Sequence, residues 1–174
     1  MTFTYVHFIM LLSALGALMG QANPIIHFPL LVMLLPVGLC LLAWDAPRGR
    51  QAFWRGYWTG ALAFGGCLYW TALPVHDYGY LSWFLAVPCP ILIGLWAGLY
   101  WAVFCWCAHH ARKRLPWPMA ALFLGSAWAV LEAIVGMPLF DFPWLLLSAA
   151  FAPWPFAIQA ADLVGAHGLS LILA

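Results

Sequence analysis

The sequence predicts an all-α integral membrane protein, a single domain over residues 1–174 with about six transmembrane helices and an apolar re-entrant or interfacial arm on the outer side. Three observations predict it. Hydrophobic residues make up 67% of the chain and charged residues 6%, which is too little polar material to cover a surface in water. Apolar runs recur at the grain of about 20 residues that a hydrocarbon core of about 30 Å requires of a spanning helix. The six basic residues form two clusters between apolar runs: Arg48, Arg50 and Arg55, then Arg112, Lys113 and Arg114. The positive-inside rule turns both clusters to the cytoplasm. With three cations at most in either cluster and a net charge of +1, no nucleic-acid face is expected.

In chain order, the first span is read over Tyr5 to Gly20. No Lys or Arg precedes it, so it lacks the charged start of a cleaved signal peptide and is read as a retained helix. Asn23 and Pro24 are turn residues that fold it back onto a second span, Ile25 to Trp44. The first basic cluster follows, then a third span from Phe53 to Leu73. Pro74 to Tyr80 is read as an outer connection carrying His76, Asp77 and Tyr78. The fourth span is Leu81 to Ala108 and leads into the second basic cluster; the fifth is Pro118 to Val135. Gly136 to Phe156 forms the outer arm, too apolar for a solvated loop and too rich in proline for a regular span. The last span starts at Ala157 and runs into the end of the chain at Ala174, which reads as a truncation.

Small residues recur at helical spacing in Gly16 with Gly20, Gly56 with Gly60, and Gly94 with Gly98. Such faces let helices approach closely, and ordinary packing within the chain is the expected use. Trp44, Trp54, Trp83, Trp117, Trp144 and Trp154 fall near predicted helix ends, as interfacial anchors do.

Ionisable groups inside a membrane are costly, which singles out Glu132, Asp162 and His167. All three can face one polar interior, and the competing expectation is that Glu132 hydrogen-bonds a neighbouring helix while His167 packs neutral. Two readings also stand for the outer arm, a lipid headgroup site beside Asp141 and Trp144, or a structural plug. His76, Asp77 and Tyr78 form either a hydrogen-bonded turn or part of a site. Six histidines raise the question of haem, but they lie at mixed depths, and no cofactor is expected. Cys105 and Cys107 are two residues apart, on different sides of a helix, so no metal site is expected either.

On two stretches the chain resembles the N-terminal membrane domain of the apolipoprotein N-acyltransferases. The first runs from Gln51 to Trp83, with its basic start, its glycine- and aromatic-rich helix, Tyr69-Trp70, and His76 followed by an aromatic-glycine turn. The second runs from Trp128 onward: Glu132, then Phe142-Pro143-Trp144, then Gly165, Gly168, Leu169 and Ser170. Where the family commonly has an Arg shortly after the Glu, this chain has Val135 and Gly136, and Asp141 stands where a Gly usually precedes Phe-Pro-Trp.

The resemblance implies a bacterial inner-membrane protein, with the basic loops cytoplasmic and the Phe142–Trp144 arm periplasmic. It implies transfer of an acyl chain from a phospholipid donor to the N-terminal diacylglyceryl-cysteine of an apolipoprotein acceptor. The family's Glu, Lys and Cys triad sits in a nitrilase-like domain, so no catalytic residue is expected in this chain, which alone would be inactive. Substrate binding is assigned to His76, Asp77, Glu132 and Trp144. A non-catalytic multi-pass subunit or a small transporter is the alternative.

Overall fold

The computed structural model describes residues 3–21, 23, 26–137 and 144–174. Among them every regular element is helical. The α-helices are α1 (Phe3–Gly20), α2 (Leu34–Trp44), α3 (Gly49–Cys67), α4 (Ala72–Asp77), α5 (Trp83–Ala86), α6 (Pro88–Arg114), α7 (Trp117–Val135), α8 (Pro155–Ile158) and α9 (Ala161–Leu173). Single 3-10 turns occupy Pro29–Met33, Tyr69–Thr71 and Ser148–Phe151. Two helical stretches among the described residues, Trp83–Arg114 and Trp117–Val135, are long and apolar enough to cross a membrane. Thr4–Gly20, Pro29–Trp44 and Ala161–Leu173 are shorter apolar helices.

Several boundaries depart from the sequence expectation. The second span opens as a 3-10 turn at Pro29, where the missing proline N–H is harmless in a first turn. The third starts earlier, at Gly49, and breaks at Leu68 (φ −100°, ψ 14°). The break is stapled by the Thr71 hydroxyl, which donates to the Leu68 carbonyl at 2.7 Å. His76 and Asp77, expected in a connecting turn, instead end the short helix α4, whose Pro74 falls in the first turn. Arg112, Lys113 and Arg114 continue α6 rather than forming a loop, because cations are favoured at the negative end of the helix dipole. The last span is kinked at Gly165, whose φ of +74° a residue with a side chain adopts only under strain.

The centre of the bundle is the antiparallel pair α3 and α6, brought together by glycines on both sides. A Cβ on Gly94 would stand 2.6 Å from the Ala61 carbonyl oxygen, and one on Gly98 2.7 Å from that of Tyr57. Gly56 and Gly60 leave the same room for Trp101. The close approach is therefore internal packing, as the small-residue spacing predicts. Around it the Trp101 and Trp128 rings meet at a tilt of 39°, 4.3 Å between centroids, with Phe104 edge-on to Trp128 at 5.2 Å.

Both basic clusters share one end of the bundle. Arg55 reaches back to Asp45 and to the Leu42 carbonyl, each at 3.1 Å. The Arg112 guanidinium lies 5.0 Å over the Trp44 ring, which also packs on Trp117. His109 Nδ1–H donates to the Ala43 carbonyl at 3.0 Å, leaving Nε2 to accept from Lys113 Nζ at 2.9 Å.

Replacing Gly98 by Leu should force α3 and α6 apart and cost about 3 kcal/mol, as overpacked sites do. Gly66→Ala, where a Cβ meets nothing within 4 Å, should be neutral or stabilising by up to about 1 kcal/mol. Thermal unfolding in detergent separates the two; equal midpoints would mean the α3–α6 contact is not as close as described.

Candidate functional site

The C-terminal turn of α7 lies at the opposite end of the bundle from the basic clusters. Trp128 and Glu132 are four residues apart, so they lie on one face of α7, and the Trp128 indole N–H donates to Glu132 Oε1 at 2.9 Å. The same oxygen accepts the backbone N–H of Leu147 at 2.7 Å. Leu147 belongs to a stretch that is not helical: Leu145 has φ +62°, and the 3-10 turn starts only at Ser148. Leu147 is 1% exposed and Ala150 is fully buried, so the backbone there cannot turn to solvent and needs partners inside the protein.

Side chains from three other parts of the chain supply them. Ser170 Oγ accepts the Ser148 N–H at 3.2 Å. Gln21 Nε2 donates to the carbonyls of Leu145 and Leu146, each at 3.4 Å. His27 Nε2 donates to the Ala150 carbonyl at 3.1 Å. Gly125 lets α9 come close enough for this, since a Cβ there would collide with the Leu171 carbonyl.

The second carboxylate oxygen, Oε2, is buried without a hydrogen-bond partner and stands 3.8 Å from His167 Nδ1. His167 is 47% exposed at its side chain against 5% for Glu132, so the imidazole sits between the buried carboxyl and the surroundings. A cavity of about 20 Å³ is lined by Glu132, Leu131, Val135, Tyr100, Trp144 and Leu145, among others. It has room for about one water beside the carboxyl.

Of the residues the sequence singles out, Glu132 and Trp144 line this one cavity. Trp144 also packs on Trp70 at 5.3 Å between ring centroids. His76 and Asp77 do not line it. The His76 ring stacks on Trp83 at 4.0 Å, and its Nδ1–H donates to the Leu81 carbonyl at 2.7 Å, which staples the turn between α4 and α5. Glu132 and His167 meet, whereas Asp162 is exposed in the first turn of α9. Asp141, Phe142 and Pro143 lie outside the described residues. Among the described residues no group of three or more His, Cys, Asp or Glu could hold a metal ion. Sequence reasoning missed Gln21, His27 and Ser170. Their signal is a polar side chain in or beside an apolar run, as Ser170 is within Gly-Leu-Ser-Leu-Ile-Leu.

Comparison with known proteins covers almost the whole chain. Residues 5–174 match the family model described as the apolipoprotein N-acyltransferase N-terminal domain. Similar proteins named apolipoprotein N-acyltransferase come from Ralstonia nicotianae, 32% identical over 93% of this chain and 32% of that protein, and from Nitrosomonas europaea, 32% identical over 92% and 32%. A third, from Pseudomonas aeruginosa, is 32% identical over 85% and 29%. The chain thus spans about a third of the length of the curated relatives it matches.

Glu132→Ala would orphan two buried donors, the Leu147 N–H and the Trp128 indole, and should lower stability by about 2–4 kcal/mol. Glu132→Gln keeps an acceptor oxygen for both and should lose about 1 kcal/mol. Unfolding of the two variants in the same detergent checks the order; equal losses would mean the carboxyl does not hold the segment.

Proposed function

The chain belongs to the apolipoprotein N-acyltransferase N-terminal domain family, and on that footing we propose that it is the membrane portion of a lipoprotein N-acyltransferase, holding two lipidated substrates for chemistry done elsewhere. In this reading the donor is a phospholipid and the acceptor a diacylglyceryl apolipoprotein. The acyl chain passes through a Glu, Lys and Cys triad in a nitrilase-like domain outside these residues. The shorter apolar helices and α3 cross the bacterial inner membrane beside α6 and α7, giving about six spans. The basic end faces the cytoplasm, and the Trp144 end faces the periplasm.

The observation that carries the proposal is the shared cavity of Glu132 and Trp144, at the end of α7 away from every basic cluster. Trp144 and Trp70 offer an aromatic wall at helix-end depth, where amphipathic rings meet lipid headgroups. Glu132 is a positioning residue: through the Leu147 N–H it fixes the segment that carries Trp144. His76 and Asp77 lie on α4, which follows directly from the turn containing Trp70, and orient a headgroup beside that wall. Two substrates held together this way react at high effective concentration.

In the complete protein, Trp144→Ala should raise KM for the phospholipid about fivefold to tenfold while kcat stays within about twofold, the mark of lost ground-state binding. His76→Ala and Asp77→Asn should shift KM in the same direction by less. An unchanged KM in Trp144→Ala would refute the aromatic wall, and Glu132→Gln with unchanged turnover and abundance would remove Glu132 from the site.

A further inference from the structure

A groove at the basic end of the bundle is not used by the reading above. It has a volume of about 280 Å³ and lies between α6 and α7, lined by Trp106, Cys107, His110 and Arg114 on α6, by Leu115 in the turn and by Phe123 on α7. Its α6 residues recur at three- and four-residue spacing, so they share one helix face. Trp106 is 48% exposed and Phe123 42%, which leaves an open aromatic channel running away from the turn.

The three cations of the second basic cluster differ in what holds them. Arg112 is engaged over Trp44 and Lys113 on His109 Nε2. Arg114 is exposed and lines the groove together with His110; among the described residues no hydrogen bond or ion pair holds it. A guanidinium at the mouth of an apolar channel matches a phosphate joined to a hydrocarbon chain, since its planar fork pairs two phosphate oxygens. Basic pockets between membrane helices take anionic headgroups in this way. A zwitterionic headgroup would bring its own cation to a helix end that already carries three cations in its last turn.

The geometry points to a binding site for an anionic phospholipid, its phosphate on Arg114 and an acyl chain along Trp106, Cys107 and Phe123. This lipid bridges α6 and α7 next to their connecting turn. It lies at the other end of α7 from Glu132, so it is a fastening lipid and not a reactant. The inference stands whether or not the acyl-transfer reading does.

Native mass spectrometry of the purified protein, taken from vesicles of equal parts phosphatidylglycerol and phosphatidylcholine, reads it directly. The expected result is preferential retention of phosphatidylglycerol, reduced about tenfold in Arg114→Gln and unchanged in Arg48→Gln. Cys107→Phe should fill the groove and displace the lipid with every charge in place, so it carries the test if Arg114→Gln does not fold. Excess inorganic phosphate should not displace the lipid, because it lacks the chain. Equal retention of both lipids, wild-type retention in both groove variants, or displacement by inorganic phosphate would overturn the assignment.

Discussion

A buried peptide group that has left a helix must find a partner inside the protein, and the stretch from Leu145 to Ala150 meets that demand with side chains. Glu132, Ser170, Gln21 and His27 each hold a backbone N–H or carbonyl of that stretch. An unmade bond there would cost about 1–3 kcal/mol per group, so the segment is fixed only while α1, α7 and α9 stand where they do. Its partners come from residues more than 100 positions upstream as well as from those just before and after it. One polar network thereby ties the first helix to the last.

The α3–α6 pair is what lets that network assemble. Glycines on both helices bring the backbones close, and Trp101 on α6 then meets Trp128 on α7. Trp128 in turn donates to Glu132, so packing in the centre sets the position of the carboxyl near one end. At the other end Arg55, Arg112 and Lys113 are satisfied by Asp45, Trp44 and His109. The molecule is thus polarised along α7, with cations near its first turn and a buried acid near its last.

Composition and the length of the apolar runs made the helical class legible, since a run of about 20 apolar residues can satisfy its backbone within one spanning helix. Some helix limits were visible too, such as Gly20, Trp44 and Val135, while others moved by four or more residues. The breaks at Leu68 and Gly165 were not. Neither leaves a charged or proline signal at its own position, and Gly165 does not stand out among the 15 glycines of the chain. Glu132 stood out as an acid in an apolar helix, and its meeting with His167 was within reach of that reasoning. Its hydrogen bond to Leu147 was not, for a carboxyl that caps a distant backbone looks in sequence like one that faces a substrate. His76 and Asp77 do lie between the two long helices α3 and α6, and His76 makes the hydrogen-bonded turn that was one of the two expectations, but the short helix α4 that carries them was not legible.

Amide hydrogen exchange over residues 144–151 of the wild-type protein, compared with α7, tests the central claim most directly. If the side-chain network holds the segment, the Leu147 and Ser148 amides exchange as slowly as those in the middle of α7, despite lacking helical partners. Exchange at the rate of an open loop would contradict the account and leave Glu132 without its structural role.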